Sequence, residues 1–332
     1  MKRILSMVMM IVITVTSFGF CSYNSNSVVS ADTVSWPSGP GLVAETAVMI
    51  DASTGSVLFD KKCHQKMYPA SITKIMTALL TIENCNLDDT VTFSQSAIDT
   101  LEPEAANIGA VVGEEISVKD CLYALMLQSA NEVASALAEH VSGSIEEFAK
   151  LMNKRAKQAG ANDAHFANAC GLFNKKHYVT AYDMAKIMQA ALQYPVFREI
   201  INSSSYTLPT DNKRKEPLTI SQRHQMVQPW NSFHYDGIIG GKTGFVNESG
   251  TTLVTSAQRD GMTLITVVLN SPGTNSYVDT TALLDFGFKN FKFLFATKDA
   301  FIMVRNTLLY NILWIFVGAV FGITVAILFN EI

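Results

Sequence analysis

Cysteine is scarce in this chain. Five occur in 332 residues, and none belongs to a C-x-x-C pair or to a Cys/His cluster at zinc spacing. A structural zinc site and a paired-thiol redox motif are therefore not expected. Beyond Cys21, the dispersed Cys63, Cys85, Cys121 and Cys170 are too few to staple so large a domain, and free, partly buried thiols are expected. An excess of positive charge is missing as well. Lys and Arg number 25 against 29 Asp and Glu, a net charge of −4, which argues against nucleic acid as a partner. No internal repeat is present, so a solenoid is not expected.

Charged residues make up only 16% of the chain and hydrophobic ones 48%, and the two ends carry much of that imbalance. Met1-Lys2-Arg3 precedes an uncharged run from Ile4 to Phe20, and Val29-Ser30-Ala31 supplies small residues before Asp32. This pattern predicts a secretory signal over 1–31, with an uncleaved anchor as the alternative. Residues 32–44, rich in Pro, Gly and Ser, read as a linker. Toward the other end, Leu308–Phe329 carries no charge and at about 1.5 Å per residue spans roughly 33 Å, enough for a transmembrane helix. Lys289, Lys292, Lys298 and Arg305 then fall on the outer side against the positive-inside bias, but a large domain committed by a signal translocates regardless. The expected layout is an extracytoplasmic domain over 45–290, a juxtamembrane linker over 291–307 and a bilayer anchor over 308–329.

Within 45–290, Thr46–Asp51 and Ser56–Phe59 flank a Gly-containing turn and read as a hairpin. A helix is predicted from Ser71 to Glu83, with Pro69 just upstream. Helices are also predicted over 118–128, 132–140, 145–159 and 180–194. Thr251–Ala257 and Met262–Leu269 form a β-hairpin around Gln258-Arg-Asp-Gly261, and a last helix covers about Tyr277–Gly287. The fold class is α/β (α+β): an antiparallel sheet assembled from both chain ends, flanked by helices, with a helical middle.

Three short segments carry chemistry. Ser71-Ile-Thr-Lys74 puts a hydroxyl and an amine three residues apart on one helical face, with the lysine among apolar neighbours. A desolvated amine loses affinity for its proton and becomes a base able to activate serine. Ser129-Ala-Asn131 interrupts two helices; a plain helix break with a capping asparagine is the structural alternative. Gly240-Gly-Lys242-Thr243-Gly244 enters the β region, where glycines permit close backbone approach. S-x-x-K followed by S-x-N and K-T-G is the set shared by serine β-lactamases and penicillin-binding proteins.

The chain thus resembles the low-molecular-mass penicillin-binding proteins that act as serine D-alanyl-D-alanine carboxypeptidases. Tyr68–Thr77, His165–Leu172, His177–Asp183, Asn231 and Lys242–Gly250 carry the resemblance, which runs from about Glu45 to Phe288. It implies that Ser71 attacks the carbonyl between the terminal D-alanines of a peptidoglycan stem peptide. Lys74 would be general base, Ser129 and Asn131 would pass the proton to the leaving D-alanine, and Lys242 and Thr243 of Lys242-Thr243-Gly244 would hold the terminal carboxylate. The N–H groups of Ser71 and Phe245 would form the oxyanion hole, with β-lactams as inhibitors and no cofactor or metal. One departure stands out: Ser276 occupies the place where the family usually has an arginine that helps hold the carboxylate. That leaves a non-catalytic or weakly active scaffold as one alternative. A β-lactamase is the other, disfavoured because no E-x-x-x-N follows Ser129.

Overall fold

The computed structural model describes residues 37–296 and 298–330. The expected signal and the first part of the expected linker lie outside the described residues. The chain divides after Ser38, and the second unit, Gly39–Ile332, carries the fold.

β1 (Thr46–Asp51) and β2 (Val57–Lys61) pair antiparallel. Between them, Asp51 Oδ1 accepts from the backbone N–H groups of Ser53 (3.1 Å) and Thr54 (2.8 Å), a side-chain mimic of a backbone turn. A 3-10 turn, Ala70–Thr73, leads directly into α1 (Lys74–Asn84). The helical middle comprises β3 (Thr90–Thr92), α2 (Gln95–Asp99), β4 (Glu115–Ser117), α3 (Val118–Tyr123), a π-helical turn Ala124–Gln128, α4 (Asn131–Ser142), α5 (Ile145–Ala159), α6 (Ala181–Ala191) and α7 (Pro195–Asn202). Ser117, Ser144 and Thr180 cap α3, α5 and α6 by accepting from the N–H three residues on.

The chain then returns through β5 (Ser205–Leu208), β6 (Leu218–Ser221), β7 (Ile238–Val246), β8 (Gly250–Arg259) and β9 (Met262–Ser271) to α8 (Asn275–Ala296) and α9 (Lys298–Asn330). The main sheet has the order β2-β1-β9-β8-β7, with every neighbouring pair antiparallel. β1 pairs with β9 along its whole length, so the first and last strands meet at the centre, as the sequence predicts. The β8–β9 turn places Asp260 and Gly261 at φ 51° and 82°, the handedness a tight hairpin needs.

β1 is buried on both faces, and the two-residue period divides it between two cores. Val48 and Ile50 face the helical middle with Ile187, Val267 and Leu269. Ala47 and Met49 face the opposite layer with Leu264, Leu283 and Leu284. Asp279 on α8 accepts from the N–H groups of Val43 (3.0 Å) and Ala44 (2.7 Å), tying the start of the domain to its last helix.

Some boundaries differ from expectation. The hairpins β3–β4 and β5–β6 were not foreseen, because strands of three and four residues carry little periodicity. Pro195 starts α7 rather than ending structure, since a first-turn proline lacks only an N–H that would be unpaired anyway. α8 runs past Gly287 to Ala296 and α9 begins at Lys298, so the stretch expected as a juxtamembrane linker is helical on both sides of Thr297. No Gly or Pro lies between 288 and 296 to stop the helix, and Phe291 is buried in its core. Arg305–Val325 is long and apolar enough to cross a membrane and is wholly unburied. The four cysteines from Cys63 onward are free.

Gly287 is the tightest point of the α8–sheet contact: a Cβ there would lie 2.5 Å from Leu264 Cδ1 and 2.7 Å from Met49 Sδ. Gly287→Val is expected to destabilise the domain by about 1–3 kcal/mol through overpacking. A lowered denaturant midpoint with an unchanged circular-dichroism spectrum of the folded state checks this.

Candidate active site

The 3-10 geometry of Ala70–Thr73 nearly eclipses side chains three apart, which brings Ser71 and Lys74 together. Lys74 Nζ lies 3.1 Å from Ser71 Oγ, 2.6 Å from Asn131 Oδ1 and 2.7 Å from the Cys170 carbonyl. The lysine is 0% exposed. Burial pushes its pKa down to about 8, with Arg223 adding to the effect and the Glu132 carboxyl opposing it.

The three partners are not equivalent. A carbonyl and an amide oxygen only accept, so each takes an N–H whatever the protonation state. When the amine is neutral it has two N–H bonds and one lone pair. Both N–H groups are then committed to Asn131 and Cys170, and the lone pair is left facing the serine hydroxyl.

Each element of this cage has a local cause. Ser129 sits at φ 66° at the end of the π turn, which breaks the helix and starts α4 at Asn131. The Asn131 N–H donates to Ala106 O (2.8 Å), fixing the loop that forms one wall of the cleft. Glu132, 0% exposed, pins the same loop through the Ile108 N–H (2.7 Å), and burial raises its pKa. Cys170 O is presented by a turn in which Asn168 Oδ1 accepts from the Gly171 N–H (2.7 Å). Gly171 has φ +89°, and a Cβ there would overlap the Ala70 carbonyl oxygen. His177 steadies the other side. Its Nδ1 faces the Ala167 N–H (3.4 Å), so Nε2 carries the proton toward Thr73 Oγ1 (3.0 Å), and burial lowers its pKa to about 3. Ala70 itself has φ 51°, a left-handed strain of roughly 1–2 kcal/mol directly before the serine.

The opposite wall is β7. Thr243, Gly244 and Phe245 line a cleft of about 420 Å³ together with Ser71, Ser129 and Asn131. Phe245 is 65% exposed. β8 braces this edge through Thr252 Oγ1, which donates to Pro69 O (2.8 Å). Lys242 is 1% exposed, lies outside the cleft lining as Lys74 does, and donates to Thr243 O (3.0 Å). Its pKa is driven well below the usual lysine value by burial first, then by Lys74 and Arg223. Ser276 is buried, and its hydroxyl bonds Gly273 O (3.3 Å).

So the structure brings Ser71, Ser129, Asn131, Thr243, Gly244 and Phe245 to one cleft, while Lys74 is buried against Ser71 Oγ and Lys242 is buried beside Thr243. The Cys170 carbonyl, Glu132 and Arg223 escaped sequence reasoning. A backbone acceptor leaves no signature, and nothing distinguishes Arg223 from other cations along the chain. Among the described residues, no cluster of His, Cys, Asp and Glu is placed to hold a metal.

This architecture matches known proteins. The profile of the D-alanyl-D-alanine carboxypeptidase family covers residues 33–273. The chain belongs to this family. Among its carboxypeptidase relatives, Bacillus subtilis DacF is 34% identical over 75% of this chain, which spans 63% of that protein's length. A Streptomyces D-alanyl-D-alanine carboxypeptidase is 32% identical over 75% of this chain and 88% of its own. The crystal structure of a Streptomyces DD-transpeptidase superposes with a TM-score of 0.70 at 29% identity, covering 76% of this chain and 99% of that one.

β7 packs against the serine turn of this carboxypeptidase-family cleft at Gly244, where a Cβ would lie 2.8 Å from Ser71 N and 2.5 Å from Thr252 Oγ1. Gly244→Ala is expected to push β7 off the serine. Acylation by a labelled penicillin should slow about 100-fold, the usual cost of a misplaced oxyanion donor; rates within threefold of the parent would contradict this.

Proposed function

We propose that this protein is a serine D-Ala-D-Ala carboxypeptidase acting on peptidoglycan stem pentapeptides and acylated by β-lactams. The observation that carries this reading is the Lys74 amine, 3.1 Å from Ser71 Oγ, with its other two partners able only to accept. Ser71 attacks the carbonyl between the two D-alanines while its proton passes to Lys74. The N–H groups of Ser71 and Phe245 hold the oxyanion. Ser129, whose hydroxyl lines the cleft, relays the proton from Lys74 to the departing D-alanine, and Asn131 orients the amine. Water then hydrolyses the ester. Thr243 receives the terminal carboxylate, Gly244 lets β7 approach, and Lys242 adds a buried amine behind them.

We further infer a membrane-anchored, extracytoplasmic enzyme: a signal over 1–31, a linker over 32–44, the catalytic domain over 45–290, a helical connection over 291–307 and a bilayer helix over 308–329. The unburied apolar helix Arg305–Val325 supports the anchor.

The function is tested with a peptide ending in D-Ala-D-Ala. The full chain in detergent is expected to release D-alanine and to form a covalent penicillin adduct, and Ser71→Ala to do neither. An adduct without D-alanine release would leave a penicillin-binding scaffold; rapid loss of the adduct as hydrolysed antibiotic would mark a β-lactamase.

The base assignment has its own pH signature. Below about 8 the Lys74 amine is increasingly protonated, so the acylation rate should fall tenfold per pH unit and level off above that value. Asn131→Asp would set a carboxylate beside the amine, favour its charged form, and move this limb up by about 1–3 units. A stopped-flow pH series of penicillin acylation measures both.

A further inference from the structure

Glu132 is buried behind the reacting groups. It is the second residue of α4, next to Asn131, whose Oδ1 accepts from Lys74 Nζ at 2.6 Å. Its side chain is 0% exposed. Oε1 accepts from the Ile108 N–H (2.7 Å), while Oε2 is buried without a hydrogen bond among the described residues. A buried carboxyl left half unpaired is costly. A glutamine has nearly the same shape and the same acceptor for Ile108. Holding the cleft-wall loop therefore does not by itself call for a charge at this position.

The surroundings of Lys74 show what a carboxylate does there. The three oxygens bonded to its amine belong to neutral groups. Burial lowers the lysine's pKa, and Arg223, which follows β6, adds to that; Lys242 on β7 is a further cation close enough to feel Lys74. His177 is neutral, its pKa lowered by burial to about 3. The thiols of Cys170 and of Cys121 on α3 are pushed up by burial and keep their protons. Glu102 and Glu104 line the cleft but are exposed, where solvent and salt screen them. Glu114, just before β4, is committed to Arg214 (3.0 Å). That leaves Glu132 as the buried carboxyl that favours the charged amine, and the effect is mutual. Burial raises the pKa of Glu132, while the N–H groups of Ile108, Glu132 itself and Ala110, and then Lys74, favour its ionised form.

We propose that Glu132 is a positioning residue for the base: its ionised carboxylate is the counter-charge of the ammonium that forms when Lys74 takes the Ser71 proton. In that step the Ser71 O–H bond breaks, its electron pair goes to the attacked carbonyl carbon, and a third N–H bond forms on Lys74. Glu132 neither gains nor loses a proton. Without it, a fully buried amine flanked by cations becomes too weak a base to draw the serine proton, since burial alone shifts such groups by as much as about 3–5 units. The inference rests on the reading of Lys74 as general base.

The test is the pH profile of acylation by a labelled penicillin, measured on the full chain in detergent. Glu132→Gln keeps the acceptor for Ile108 and removes the charge. Its acid limb should move down by about one pH unit, because an ammonium without a counter-charge loses its proton more readily. Its plateau should fall about three- to tenfold, because the amine is then a weaker base. Glu132→Asp keeps the charge but is one methylene short of the Ile108 N–H. Its limb should stay within about half a unit of the parent's, with a rate lowered alike at every pH. An unmoved or raised limb in Glu132→Gln, or the same shift in both variants, overturns the proposal and leaves Glu132 a loop clamp. Should Glu132→Gln fail to fold, infrared spectra of the parent carrying isotope-labelled glutamate decide. Every labelled carboxyl should be ionised at neutral pH, and a protonated one overturns the proposal. A parent with no acid limb, or one not acylated at Ser71, overturns the base reading and the proposal with it; a normal parent limb that ignores the charge at 132 overturns the proposal alone.

Discussion

A single buried amine sets the terms for the rest of this structure. Removing an ammonium from water costs several kcal/mol unless its donors are met, and Lys74 is fully buried. Three oxygens answer that cost, drawn from the 3-10 turn, from the start of α4 and from the loop before α6. Three segments far apart in sequence must therefore converge within about 3 Å of one nitrogen. The compensation is deliberately incomplete in one respect: two of the partners only accept. A fully charged lysine is satisfied there, and so is a neutral one, with its lone pair on the serine side. The cage tolerates both states of the proposed base, as a proton shuttle requires.

Convergence of that kind needs backbone to pack against backbone, and glycine marks each place where it does. Gly244 lets β7 lie against the Ser71 N–H, and Gly171 lets the loop carrying Cys170 lie against Ala70. Ala70 accepts a left-handed φ in the same knot. The rigidity comes from behind. Thr252 grips Pro69 from β8, neutral His177 grips Thr73, and β8 is itself clamped in the sheet that the two chain ends close. The strain at the turn persists because these neighbours over-determine it.

These facts divide what was legible in the sequence from what was not. Apolar, β-branched runs over Thr46–Asp51 and Met262–Leu269 revealed the central strands because burial on both faces demands near-continuous apolar sequence. Ser71, Lys74, Asn131 and Lys242-Thr243-Gly244 were legible as motifs because the chemistry needs side chains of those types in that order. The short hairpins β3–β4 and β5–β6 were not, since three or four residues carry too few alternations. The end of the last helix was missed because Gly287 looked like a stop; in the structure it is a contact that lets α8 press on Leu264 and Met49, and the helix continues. Lys242 was legible as a motif residue, but its burial was not. A lysine in a strand reads the same whether its amine stands in solvent or is buried among other cations.

That last distinction governs the electrostatics of the site. Arg223 lies near enough to lower the pKa of Lys74 and Lys242, Lys74 further lowers that of Lys242, and Arg223 itself is lowered by burial. The three groups differ in what they can give up. The two buried lysines can shed a proton, and both are shifted toward doing so. Arg223 sits at the cleft rim, partly in solvent, and its guanidinium remains protonated even with a lowered pKa. Permanent charge is thus kept among the cleft-lining residues, and the suppressed charge is kept in the buried amine beside Ser71. An arginine at 74 could not take the place of the lysine, because a guanidinium would not release the proton that a base must lose before it can accept one from serine.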